Sequence, residues 1–187
     1  EEFAGKGYHS TSMDDIVRRA GISKGAIYFH FPGKEALFSA LVNRLANILE
    51  ASIRKSIEQE DGAVARVDAA LQTLLQLLSR HQNLAKVALM GRGMGPSIDN
   101  HIMELHNRFA HLIKEYLDNA VVTGSIPQIN TELAATAWLG AINQIIVRWL
   151  YTGDFDPLEK VIPQLRALLL RSIEVDPASL EGEKPKN

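Results

Sequence analysis

Apolar residues recur along this chain at intervals of three and four, and each run stops at glycine, asparagine or proline. That is the spacing of one-faced helices and their stop signals. "STSMDDIVRRAG" places Thr11 three residues before Asp14, a capping-box arrangement, and ends at Gly21. Lys34 to about Glu58 carries Leu37, Leu41, Leu45, Ile48, Leu49, Ile53 and Ile57, and Asp61-Gly62 closes it. Ala63–Arg80, a shorter Asn83–Met90 and Ser97–Thr123 follow, the last two separated by the glycines and proline of "LMGRGMGPS". No alternating run of strand length stands out, so the pattern predicts an all-α chain.

Two segments depart from the one-faced pattern. Thr131–Tyr151 is apolar nearly all round, through Leu133, Trp138, Ile142, Ile145, Ile146, Trp149 and Leu150, which predicts burial on every side. Asp156-Pro157 then offers an N-cap and an N1 proline for a helix running to Ile173, with a bend expected at Pro163. Residues 176–187 are charged and proline-containing and are expected to be a flexible tail.

Composition narrows the class. The 187 residues are 46% hydrophobic and 22% charged, ordinary values for a globular chain with a core of its own. The absence of cysteine excludes disulfides and thiol sites and points to a reducing compartment, so a soluble cytoplasmic protein is expected. The uncharged stretch Leu133–Val147 is short and contains Asn143 and Gln144, which argues against a membrane span. The chain opens on Glu1 rather than methionine, and Glu1–Lys6 read as the tail of a helix. No Ser/His/Asp set or paired carboxylates appear, so an enzyme is not expected and no cofactor is implied. His101, His106 and His111 are spaced by five, which turns them around a helix instead of aligning them for a metal.

The segment "GISKGAIYFHFPGKEAL" is the most informative. Ser23 opens a helix that Pro32-Gly33 has already ended, leaving two turns, Lys24–His30. Two short helices joined by Gly21-Ile22-Ser23 and backed by a third have the spacing of a helix-turn-helix. In that motif the second helix enters the major groove by its N-terminal end, so it can be short. Gly25 and Ala26 remove bulk there, the Ala26 methyl suits a thymine methyl, and Lys24 can reach a guanine edge or a phosphate. Ile27 and Phe31 would form the inner stripe with Ile16, Ala20 and Ile22. At least two of Tyr28, Phe29 and His30 must then face outward. Local charge agrees: Phe3–Lys34 holds a net +3 in a chain whose total is −2. The competing reading is an ordinary helical hairpin around an aromatic cluster.

"GYHSTSMDDIVRRAGISKGAIYFHFPGKEALFSALV", ungapped over 36 residues, resembles the DNA-binding domain of the TetR/AcrR family of bacterial repressors. The resemblance rests on the Gly-Tyr, the Thr-Ser, the Ala-Gly-Ile-Ser turn, the Tyr-x-His-Phe and the Lys-Glu that follows. It implies a three-helix helix-turn-helix DNA-binding domain over residues 1–45 and a larger helical ligand-binding and dimerisation domain over 46–175. It also implies a homodimeric repressor on double-stranded, palindromic operator DNA, released by a small, largely apolar inducer. Carried over by position, Lys24, Gly25 and Ala26 would face bases. Tyr28, Phe29, His30 and Lys34 would meet phosphate, sugar or base edges, and Ser12 a phosphate. A helical protein-interaction dimer without a DNA role is the alternative.

In the family the last two long helices pair with their mates, so Ile146, Trp149, Leu165 and Leu169 are assigned to the dimer interface. A pocket among Ala63–Arg80, Ser97–Thr123 and Thr131–Tyr151 would be lined by Leu74, Leu78, Met90, Met94, Phe109, Ile113, Trp138 and Ile142. "NLAKVALM" and "PLEKVIPQLRALLLRSI" resemble the fatty acyl-CoA-responsive branch, with Arg80, Lys86, Arg92 and Arg108 as candidate phosphate partners. A multidrug-type apolar inducer is the equal competitor. Lys34–Glu58, about 37 Å long at 1.5 Å per residue, is expected to be the only long rigid element that reaches both domains.

Overall fold

The computed structural model describes residues 1–89, 95–152 and 160–174, and among these it is helical with no strand. In chain order the helices are α1 (Glu2–Lys6), α2 (Met13–Ala20), α3 (Lys24–His30), α4 (Lys34–Glu58), α5 (Ala63–Arg80), α6 (Gln82–Leu89), α7 (Pro96–Val122), α8 (Thr131–Thr152) and α9 (Val161–Glu174). Met90, Arg92, Met94, the Asp156-Pro157 cap and the tail from Asp176 lie outside the described residues. The bend expected at Pro163 is not seen, because α9 as described begins at Val161 and the proline falls in its first turn. That is where a missing N–H costs least.

The helices form two compact units, and the division cuts through α4, α5 and α7. The first unit joins residues 1–52 to residues 76–106, so it is assembled from two separate stretches of chain. Its core takes Phe3, Tyr8, Met13, Ile27, Leu37, Phe38 and Val42 from the first stretch and Ile98 and Ile102 from the second. Phe38 is completely buried, its ring edge-on to Tyr8 at 5.2 Å and to Phe3 at 5.8 Å. Truncating a phenylalanine so placed costs about 3–5 kcal/mol.

The second unit joins residues 53–75 to the chain from Asn107 onward. Ile53, Ile57 and Leu112 are buried together, with Ala70, Leu74, Phe109 and Tyr116 packed against them. Arg54 donates to Glu115 through two nitrogens, at 3.2 and 3.0 Å, and Arg166 of α9 meets Asp68 of α5 at 2.6 Å. Asp118 accepts from Lys114 and from Thr131, which ties the end of α7 to the first residue of α8. These two bonds hold the Asp118 carboxyl below its ordinary range, the lysine contributing most.

Three expectations from the sequence need correcting. First, α4 is not the only long helix contributing to both cores: α7 supplies Ile98 and Ile102 to the first and Leu112 to the second. Second, α8 is not buried on every side within the chain. Leu133 is 66% exposed, and Thr136, Ala137, Gly140, Gln144 and Arg148 are exposed with it, a face at helical spacing. Third, α4 and residues 131–150 of α8 are both long and apolar enough to cross a bilayer by length and composition alone. Burial of Phe38 and Val42 on α4, and of Ile142 and Ile146 on α8, gives that apolarity a use inside a helical core.

Candidate nucleic-acid interface

Helix α3 is set by local chemistry at both of its ends. Gly21 follows α2 in the left-handed conformation, φ 66°, which glycine adopts without the strain a Cβ would bring. Its N–H returns to the Val17 carbonyl and closes α2. Two residues on, the Ser23 hydroxyl accepts from the Ala26 N–H and opens α3. Phe31 ends it in an extended conformation ahead of Pro32. Only Ile27 of α3 is buried, 5% exposed, with Phe31 half-buried behind it. Ala20 and Ile22, expected in the inner stripe, are exposed, Ile22 at 45%. A seven-residue helix has room for one inward position per turn, and Ile27 and Phe31 fill them.

Everything else on α3 faces out. Phe29 is 84% exposed and Tyr28 41%, and His30 is exposed with its ring edge-on to Phe29 at 5.1 Å. A Cβ added to Gly25 would meet nothing within 4 Å, so no packing inside the protein demands a glycine there. Lys24 is exposed too, and its Nζ lies 2.8 Å from Asp14 Oδ1 and 6.0 Å from the centre of the Tyr28 ring. The hydrogen bond to Asp14 raises the lysine's pKa above its ordinary value.

Beside α3 an open groove of about 370 Å³ is lined by His9, Ser10, Thr11, Ser12, Met13, Asp14, Tyr28 and Lys34. The capping box that shapes its floor sits one residue later than expected. Ser12, not Thr11, caps α2: its hydroxyl accepts from the Asp15 N–H at 3.1 Å, and its own N–H donates to Asp15 Oδ2 at 3.1 Å. The Ser12 hydroxyl also donates to Asp15, and this bond does most to hold that carboxyl below its ordinary pKa. Thr11 is instead turned inward, 1% exposed, donating to the carbonyl of Gly7 at 2.7 Å and of Glu2 at 3.2 Å.

Lys34 is half-buried, and its Nζ donates to the Tyr8 carbonyl at 2.7 Å and the His9 carbonyl at 3.2 Å, above the Tyr8 ring at 4.5 Å. Two of its three donors are thereby spent holding the loop that carries His9–Ser12. Sequence reasoning did not place Asp14, Thr11 or His9 at this groove. Of these, Asp14 left the plainest signal, as one of two acids in a basic segment.

The interface and pocket positions distribute differently. Ile146, Leu165 and Leu169 are 4%, 5% and 3% exposed within the single chain, where α8 packs on α9, so their side chains are already committed. Trp149 is half-buried. Leu168, which lies outside the interface set assigned from the sequence, is 62% exposed. Of the pocket residues, Leu78 is buried in the first unit, and the other described ones belong to the second. Leu74 and Phe109 pack on one cluster there, while Ile113 is half-buried and Ile142 buried. Trp138 is 7% exposed and donates its indole N–H to the Ser172 hydroxyl at 2.9 Å.

A tight turn joining two short helices, the second exposed on all but one residue, on a core closed by a third: this is a helix-turn-helix protein. Residues 1–41 match the model of the bacterial regulatory proteins of the tetR family, and residues 60–173 match that of the tetracyclin repressor-like C-terminal domain. The chain therefore belongs to the TetR family of transcriptional regulators, and it is a DNA-binding regulator of all-α fold. It is 29% identical over 155 residues to the HTH-type transcriptional regulator SrpR of Pseudomonas putida, covering 82% of this chain and 70% of that protein. Its fold is shared by the fatty acid degradation regulator FadR of Bacillus halodurans, at a TM-score of 0.81 and 20% identity over 90% of this chain and 92% of that one. FadR of Bacillus subtilis, solved in complex with stearoyl-CoA, also gives a TM-score of 0.81, at 22% identity over 92% and 94% of the two chains.

Proposed function

We propose that this regulator is a homodimeric repressor that grips a palindromic operator through α3 and leaves it when a small, largely apolar molecule binds the second unit. The observation that carries the DNA half is the outward face of α3. Large aromatic side chains and an unneeded glycine lie where water alone would select neither. Gly25 lets the backbone approach a base pair, Ala26 and Phe29 offer apolar surface to thymine methyls, and Lys24 offers donors to guanine. The groove takes a phosphate, with the Tyr28 hydroxyl and the N-terminal end of α2 at Ser12 on its walls and the Lys34 charge beside it. Lys34 acts first by holding the His9–Ser12 loop, with one donor left for DNA.

The dimer half is supported by the α8 face carrying Leu133, Ala137 and Gly140 and by exposed Leu168 on α9, apolar surface that is exposed among the described residues. The interface then lies on this face, one side round from the buried Ile146, Leu165 and Leu169. The inducer would occupy the second unit among Leu74, Phe109, Ile113, Trp138 and Ile142. The likeness to a FadR solved with stearoyl-CoA makes a long-chain acyl-CoA the first ligand to try. A multidrug-type apolar compound is the second.

Fluorescence anisotropy with a labelled duplex selected from a random pool tests both halves. Affinity should fall steeply and log-linearly with salt, as several neutralised phosphates require. Stearoyl-CoA should then release the duplex, where free coenzyme A does not. Salt-independent or absent duplex binding would instead favour a protein-interaction dimer.

A further inference from the structure

We infer that Asp14 is a specificity-determining residue: it occupies Lys24, the only lysine or arginine of the reading helix, and so makes the protein discriminate against DNA that offers phosphates alone. The inference rests on the DNA-binding reading given above and adds a device within it. Asp14 and Lys24 come from different helices, the second residue of α2 and the first of α3, and meet across the turn at 2.8 Å. Asp14 is not needed for the capping box of α2, which Ser12 and Asp15 form, and Asp15 also takes the nearby cations Arg18, at 2.8 Å, and Lys6, at 3.7 Å. Asp14 also lines the groove with Tyr28 and Lys34, where a phosphate would settle. A bare acid there is unfavourable for any DNA.

The pair is weak enough to exchange. Both side chains are mostly exposed, 63% for Lys24 and 61% for Asp14, and ion pairs in that setting are readily given up to a competing partner. What replaces the carboxylate decides the outcome. On non-specific DNA, Lys24 stays with Asp14, because leaving it for the diffuse phosphate field would turn the freed carboxylate on those same phosphates. On a site with guanine under the head of α3, the ammonium gains two fixed acceptors, O6 and N7, deep in the groove. The cost of freeing Asp14 would be the same on both, and only the second returns it. Asp14 thus lowers the background more than it lowers the signal.

Asp14→Asn removes the charge and keeps the size. Duplexes enriched by the wild-type protein from a random pool, and a random-sequence duplex of equal length, are the two probes. Random-duplex affinity should rise by about three- to tenfold in the variant, with the salt slope steeper by about one unit, since one more cation engages phosphate. Affinity for the enriched duplex should change less, so the ratio of the two falls. In a Lys24→Ala background the same substitution should have a smaller effect on random DNA. A gain equal in both backgrounds, or an unchanged ratio, overturns the inference, because Asp14 would then act only as a general repeller of phosphate or not at all. Wild-type protein that binds neither duplex would overturn the DNA reading itself, a different result. Thermal melting of both variants guards against a loss of fold.

Discussion

The two units spend their large side chains in opposite ways. In the first, the reading helix buries one residue of seven and leaves Phe29 and Tyr28 in water, while core duty falls to Phe38, Tyr8 and Phe3 on its neighbours. In the second, both tryptophans are drawn at least half inside, and the indole of Trp138 is tied to Ser172. On the proposed reading the exposed aromatics of α3 serve an outside partner, whereas the inward ones are fully explained by stability. The same contrast separates Leu168 from Ile146 inside the second unit. One is open apolar surface and the other is committed packing.

The sharpest way to break this comparison is a charge on each side of the second unit. Ile146→Asp should cost more than about 3 kcal/mol and abolish cooperative melting, because it buries an unpaired charge. Leu168→Asp should leave the helical content at the wild-type level, yet sediment as a monomer and lose operator binding. A folded, monomeric Ile146→Asp together with a dimeric Leu168→Asp would return the interface to the residues first assigned to it.

Next in size comes Gly25→Ala. Nothing inside the protein opposes a methyl there, and alanine is favoured over glycine in a helix by about 0.5–1 kcal/mol, so the melting temperature should hold or rise. Operator affinity should fall by about tenfold or more, the signature of space reserved for DNA. A variant that binds like wild type means the backbone at Gly25 does not approach a base pair. Smaller still is the share of Phe29. Uracil-for-thymine substitution across a selected duplex should weaken the wild-type protein by about fourfold at one position, the worth of one buried methyl. Phe29→Ala should lose the sensitive position that Phe29 covers and keep any that Ala26 covers.

The least effect concerns a respect in which the units agree. Asp15 in the first and Asp118 in the second both have pKa values held below the ordinary 3.8 by hydrogen bonds to the charged form. Their stabilisation is therefore complete above about pH 4 and is lost as pH falls through the lowered values. Acid melts of Asp15→Asn and of Asp118→Asn should each show a shallower loss below pH 4 than wild type. An acid limb of unchanged slope in both would mean the cap and the α7–α8 tie add nothing in solution.

Much of the first unit was legible because short helices leave few choices. Seven residues between Ser23 and Phe31 admit one buried stripe, so the exposure of at least two of Tyr28, Phe29 and His30 followed from counting. The cap of α2 was missed by one residue because Ser10, Thr11 and Ser12 are all competent caps. The inward turn of Thr11 depends on the carbonyls of Glu2 and Gly7, which no local pattern encodes. Lys34 likewise reads as a free cation until the Tyr8 and His9 carbonyls are seen beside it. In the second unit the periodicity gave the helices and not their partners. A stripe such as Ile142–Ile146–Leu150 looks the same whether a sister helix or a second subunit covers it, and only the packing of α8 on α9 separates the two.

The first unit's split origin bears on how regulators of this kind can be recombined. Its core is completed by Ile98 and Ile102, which lie some forty residues past the end of α4 in the chain. A transplant of residues 1–45 onto a foreign sensor would carry Phe38 and Val42 away from the side chains that cover them. New pairings of reading head and sensor, in the laboratory or over evolutionary time, must therefore move the first turns of α7 along with the head or rebuild them to fit. Swaps that respect this seam should yield working hybrids, while cuts placed at the end of the recognisable motif should yield insoluble ones.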